Sequence, residues 1–192
     1  LTGQDPRGLE LHIARAGDTA AEVIAYLKNE TLVKASLPMG DCCLLPQDLK
    51  AWADQPILLV AAGTGFAQIK SLAEGILAQA PEQEVHIYWS NRGLGGFYLP
   101  ELPLDWVRQY ENLTYHPIVE QPDESWEGRD GWIYQVIEQD FDDLSDVQMF
   151  ACGSPNMVLG TLDQLEKRGL SEANMHSDVF AYAPRQKKSD PS

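Results

Sequence analysis

The chain has 192 residues, 44% of them hydrophobic, and 29 acidic against 14 basic side chains give a formal net charge of −15. That length holds one ordinary domain, or a complete domain with part of a second, and the acidity excludes nucleic acid, whose phosphates call for Lys and Arg. The longest apolar runs, 56–62 (PILLVAA) and 147–152 (VQMFAC), fall far short of the roughly 20 residues of a membrane helix and suit buried strands. In chain order, 9–13 (LELHI) alternates like a half-buried strand, 20–27 (AAEVIAYL) reads as a short helix with Asp18 or Thr19 as its N-cap, and 32–38 (LVKASLP) returns as a strand before a turn at 39–41. These elements are too few to close a sheet and read as the end of a β-rich domain. From residue 55 the rhythm changes. A β run at 57–60 breaks at Gly63-Thr64-Gly65, and Ile69, Leu72, Ala73, Ile76 and Leu77 then recur at helical spacing. Strands are expected at 84–89, 113–119, 147–152 and 175–181, helices at 130–139 and 154–168, with Gly169 as the stop of the second. Such alternation predicts an α/β fold, an open parallel sheet covered by helices on both faces. The polar ending, 185–192, is expected to be a flexible tail.

Cys42, Cys43 and Cys152 make no disulfide framework, and His12, His86, His116 and His176 are scattered singly, so no metal site is expected. No leader pattern opens the sequence, and a reducing, cytoplasmic setting is the corresponding expectation.

Three strand ends carry unusual residues, and in open α/β sheets ligands bind beyond the carboxyl ends. At the first, Gly63, Thr64 and Gly65 let backbone N–H groups approach an anion at a helix N-terminus; a merely tight connection is the alternative. This is not a GxGxxG fingerprint, and Tyr88-Trp89-Ser90 stands where an acid would close the second strand. At the second, Ser154 suits a helix cap and Pro155 the first helical position. Cys152 beside them reads either as a small buried residue or as the soft lining of a pocket for a flat ring; no motif makes it a nucleophile. At the third, Asp178-Val-Phe-Ala-Tyr182 carries Phe180, an aromatic for the core or for stacking on such a ring.

Together AAGTGFAQIKSL, IYWSNR followed by FYL, FACGSP-x-MV and DVFAY resemble, in order and spacing, the ferredoxin–NADP reductase superfamily, and within it the NAD(P)H:flavin reductases and the reductase components of oxygenases. The resemblance covers essentially the whole chain. It implies hydride transfer from NAD(P)H to a flavin, FAD or FMN, with release of the flavin or onward transfer to a ferredoxin-type iron–sulfur domain or an oxygenase. It also implies that 1–52 are the C-terminal part of a flavin-binding antiparallel β-barrel, a remnant preceding an NAD(P)-binding domain at 53–184. Gly63, Thr64 and Gly65 would hold the pyrophosphate, Arg92 would contact the nucleotide, and Cys152, Gly153, Ser154 and Pro155 would wall the nicotinamide. Cys152 and Phe180, the latter near the flavin ring with Asp178 beside it, are the candidate catalytic positions. Thr19, followed by Ala20 and Ala21, is the nearest candidate for the hydroxyl that the resemblance expects at the helix covering the flavin phosphate.

The departures from the pattern carry their own expectations. The arginine–x–tyrosine–serine motif that grips the flavin is absent, so flavin is expected to be weakly held or lost, and a nucleotide-binding module without turnover is the alternative function. Gln68 replaces a frequent proline. Glu120 follows Val119 where NADPH-specific relatives have Ser-Arg; a carboxylate there repels a 2′-phosphate and accepts from ribose hydroxyls, which favours NADH.

Overall fold

The computed structural model describes residues 8–15, 17–36, 42–183 and 185. The first helix, α1 (Gly17–Asn29), starts earlier than its apolar pattern indicated, so Thr19 lies exposed in its first turn and does not cap it; Asp18 near the start and Lys28 in the last turn complement the helix dipole. Next comes α2 (Pro46–Ala51), which the apolar periodicity missed. Its signature was local: Pro46 opens the helix, and the Asp48 carboxylate reaches back 2.8 Å to accept from the Leu45 N–H.

No strand forms among the described residues before 57. Residues 9–13 and 32–36 run without ladder partners, so the alternation that predicted strands there reports exposure without pairing, and neither segment gains the neighbours a sheet requires. The rest of the second expected strand and the turn at 39–41 lie outside the described residues.

The α/β part of the chain follows: β1 (Ile57–Ala62), α3 (Phe66–Gln79), β2 (Val85–Asn91), α4 (Glu101–Gln109), β3 (Leu113–Val119), β4 (Arg129–Asp130), α5 (Ile133–Asp140), β5 (Gln148–Cys152), α6 (Pro155–Leu165), β6 (Met175–His176) and α7 (Val179–Tyr182). All six strands are parallel, in the order β4-β3-β2-β1-β5-β6. Alternate residues of β1 feed opposite faces. Ile57, Leu59 and Ala61 pack with Phe66, Ile69 and Ile76 of α3, whereas Leu58 and Val60 pack with Val136 and Ile137 of α5 and Leu162 of α6. Both faces being covered explains the unbroken apolar run, and each buried Ile, Leu, Val or Phe among these contributes about 1.5–3 kcal/mol.

The last expected strand is a correction. Only Met175 and His176 pair with β5, after which Ser177 Oγ accepts from the Val179 N–H at 3.3 Å and the chain turns into α7. Short polar side chains that bond to neighbouring backbone compete with the ladder in this way. Among the described residues, no helix is long and apolar enough to cross a membrane.

Candidate functional site

The chain leaves β1 for α3 on one face of the sheet and leaves β5 for α6 on the other, so a crevice opens between two adjacent strand ends, the place where ligands bind in open α/β sheets. Backbone shape makes this crevice. Gly63 adopts φ +55°, a left-handed conformation that favours glycine, and Gly63–Gly65 form a single tight turn into α3. A Cβ on Gly65 would stand 2.0 Å from the Cys152 carbonyl oxygen, so only glycine lets the turn lie against the end of β5. Gly153 is similarly enclosed, with the Met157 methyl 2.4 Å and the Ala62 Cβ 3.2 Å from where its own Cβ would be. Ser154 caps α6 as expected, its Oγ accepting from the Met157 N–H at 3.3 Å, and Pro155 takes the first turn.

A buried indole sets the orientation of the glycine turn. Trp89 Nε1 donates to the Gly63 carbonyl at 2.9 Å, and the ring stacks on Phe66 with centroids 3.8 Å apart and planes 7° from parallel. Trp89, which stands beside Ser90 where an acid would close the second strand, therefore serves the loop.

At the ends of β2 and β3 the polar side chains are held in pairs. Ser90 Oγ donates to Glu120 Oε1 at 3.1 Å, and the Glu120 N–H donates to the Asn91 carbonyl at 2.9 Å. Arg92 Nε donates to Gln121 Oε1 at 3.1 Å, with the Gln121 N–H on the Arg92 carbonyl. Three adjoining cavities run along this edge. One of about 440 Å³ is lined by Ala62, Glu120, Trp132, Tyr134 and Ser154. The next, about 660 Å³, shares Ala62 and Glu120 with it and adds Gly63, Ser90 and Arg92. The third, about 510 Å³, shares Gly63 and adds Thr64, Tyr98 and residues 10–14; there the Tyr98 hydroxyl, pushed up to about 12 by burial, lies 2.6 Å from His12 Nδ1.

Gly63, Thr64, Arg92, Glu120 and Ser154 thus share one trough, with Gly65, Gly153 and Pro155 shaping its walls. Cys152 and Asp178 form a second group just behind it. Cys152 is 5% exposed, and its Sγ donates to Gln68 Oε1 at 3.1 Å; contact with the Cys42 thiol and burial push the Cys152 thiol up, so it is held protonated. Asp178 accepts from the Cys42 N–H at 3.1 Å and from Gln68 Nε2 at 3.0 Å. The structure does not bring two residues to the trough: Phe180 packs half-buried against the core that α6 covers, and Thr19 stands on α1. The sequence named Trp89 and Gln68 without a role for either, and Trp132 was missed. Trp132 is 58% exposed at the mouth of the 440 Å³ cavity, and its signal was an indole beside Gly131 at a strand-to-helix turn.

The residues fit a dinucleotide. A glycine-only turn at the switch point admits a phosphate to backbone N–H groups, a carboxylate stands within the trough, and an open indole face is available to a flat base. For a flavin the described residues offer one side, the opening around Thr64, His12 and Tyr98.

Fold and crevice together define a nucleotide-binding α/β domain of the oxidoreductase type. The family model of the oxidoreductase NAD-binding domain matches residues 59–163, and the chain belongs to that family. It is 32% identical to protein RfbI of Salmonella typhimurium over 178 residues, which are 92% of this chain and 52% of that protein. It is 30% identical to a probable flavin reductase of Aliivibrio fischeri over 181 residues, 91% of this chain and 74% of the relative. A cytochrome P450 reductase of Amycolatopsis shares its fold at a TM-score of 0.68 and 22% identity, over 78% of this chain and 46% of that one. The chain spans about half the length of RfbI.

Proposed function

We propose that this chain is the nicotinamide-nucleotide side of a reductase that passes a hydride from NAD(P)H, with NADH preferred, to a flavin, FAD or FMN, in a cytoplasmic setting. Residues 53–184 are the nucleotide domain, and 1–52 belong to the flavin side. The observation that carries this reading is the close approach of Gly65 to Cys152 at the β1/β5 switch point, with Glu120 in the trough beside it. The cofactors supply the atoms between which the hydride moves; the protein supplies position and exclusion of water. Gly63, Thr64 and Gly65 present backbone donors to the pyrophosphate, and Ser154, Pro155 and Gly153 keep the opposite wall close. Arg92 adds a cation at the rim. Ser90 orients Glu120, whose carboxylate accepts from ribose hydroxyls. On the same reading Cys152 and Asp178 lie together at the nicotinamide end, whereas Phe180 and Thr19 stand away from the trough. Electrons then leave as released reduced flavin or go on to an iron–sulfur domain or an oxygenase.

Two titrations test this. NADH and NADPH binding, followed by tryptophan fluorescence, is expected to favour NADH, and Glu120→Arg is expected to raise the relative affinity for NADPH; an unchanged ratio would remove Glu120 from the ribose. NADH oxidation is then measured with added FAD or FMN. A second reading, a module that takes up NAD(H) without turnover, is favoured by the absence of strand pairing among the described residues before 57. Nucleotide binding with no flavin-dependent oxidation would select it.

A further inference from the structure

Gln68 sits in the first turn of α3, where the nucleotide trough has no direct use for it, yet its carboxamide is fully engaged. Its Oε1 accepts from Cys152 Sγ at 3.1 Å; its Nε2 donates to Asp178 Oδ2 at 3.0 Å and to the Cys42 carbonyl at 3.2 Å. The orientation of the amide follows from its partners. A carboxylate and a peptide carbonyl can only accept, so the NH₂ group must face them and the amide oxygen must face the thiol. Cys152 is then obliged to donate. Burial and the Cys42 thiol, which keep Cys152 protonated, agree with that role. The thiol hydrogen is fixed within the network, and the end of β5, the first turn of α3, the residues before α7 and the segment at Cys42 are joined by one side chain.

We propose that Gln68 is a positioning residue for hydride transfer, acting through Cys152 and Asp178: it sets the direction of the thiol hydrogen and the place of the carboxylate at the nicotinamide end of the crevice. This rests on the proposed function above. On the same reading nucleotide affinity comes from the glycine turn and Glu120, with which the Gln68 side chain shares no hydrogen bond. The two contributions should therefore separate on mutation.

The S–H stretching band of Cys152, isolated as the infrared difference between the chain and its Cys152→Ala variant, reads the thiol's hydrogen bond directly. In Gln68→Leu this band is expected to move to higher frequency. In the isosteric Gln68→Glu, which keeps an acceptor for the thiol and loses both N–H donors, it is expected not to rise. An unmoved band in Gln68→Leu overturns the assignment. In the flavin-supplemented assay, Gln68→Leu is expected to leave NADH affinity near that of the parent while the rate of flavin reduction falls roughly tenfold to a hundredfold, the scale of a sub-ångström to ångström misplacement. Equal loss of affinity and rate, or no loss of rate, overturns the positioning role. If the parent chain itself fails to reduce flavin, the function proposed above fails, and the infrared band still decides whether Gln68 directs the thiol.

Discussion

Gly65→Ala tests the crevice at its tightest point. The added methyl would sit 2.0 Å from the Cys152 oxygen, 2.5 Å from its carbonyl carbon and 3.1 Å from the Gly153 nitrogen. Comfortable contact needs about 3.5 Å, so the turn must retreat from β5 by roughly 1.5 Å. All three atoms are backbone, and no side chain can rotate out of the way. Overpacking of this kind costs about 1–3 kcal/mol, and at about 2–4 °C per kcal/mol for a chain of this size Tm drops by ~2–12 °C. Parting the walls also loses at least one phosphate–backbone hydrogen bond, worth about 1.5–3 kcal/mol, so NADH affinity falls by on the order of tenfold to a hundredfold. Gly63→Ala is the control. It carries a left-handed penalty of about 1–2 kcal/mol, but nothing lies within 4 Å of its Cβ, so the walls stay in place and binding is largely retained. Thermal denaturation and NADH titration of the two variants check the pair. Wild-type affinity in Gly65→Ala, or a greater loss of affinity in Gly63→Ala, refutes the reasoning.

Trp89→Phe keeps a ring against Phe66 and removes the N–H donor to the Gly63 carbonyl; the expected result is about 1 kcal/mol of lost stability with weaker NADH binding, and an unchanged titration curve would show that the turn does not need its indole. The second prediction concerns pH. Burial, with Arg129 and His86 adding to it, lowers His116 below 6.5 against the opposing pull of Asp140. A lowered histidine gives stability that is complete above about pH 6.5 and lost as pH falls toward the folded value, because the unfolded chain binds the proton first. Tm should therefore fall between pH 7 and pH 5. His116→Asn should flatten part of that slope, the remainder including His176, which burial lowers in the same sense; an equal slope in the variant excludes His116 as a source.

The central sheet was legible because strands covered on both faces must be apolar throughout, and 57–62 and 147–152 could satisfy nothing else. The glycine turn was legible for a related reason: glycines between a buried strand and an amphipathic helix are hard to explain by propensity alone. What escaped was non-local. Gln68 meets Cys152 across 84 residues and Asp178 across 110, and no spacing along the chain announces such a junction. α4 was not among the expected helices; its two prolines are compatible with it, since Pro100 stands at the N-cap and Pro103 within the first turn, where a missing N–H costs nothing. The segments at 9–13 and 32–36 show the converse error, in which a period of two was taken for pairing when the partner strand that would make it a ladder is not among the described residues.

On the proposed function, nucleotide choice would turn on Arg92 and Glu120, two side chains of opposite sign that line the same cavity, and their surroundings decide which one prevails. Arg92 is exposed, with its Nε already engaged by Gln121. In that setting a cation at about 4 Å contributes on the order of 1 kcal/mol toward a phosphate, and salt reduces it further. Glu120 is half-buried. One carboxylate oxygen is tied to the hydroxyl of Ser90, which is 1% exposed, and its own N–H is tied to Asn91. A carboxylate fixed there cannot swing away from a 2′-phosphate, and at the effective dielectric of such a site the repulsion at about 4 Å approaches 4 kcal/mol. On that proposal the expected balance favours a free ribose hydroxyl over a phosphate. It also assigns Ser90 a part, since removing its hydroxyl frees Glu120 to turn toward water and should narrow the preference for NADH without touching the glycine turn.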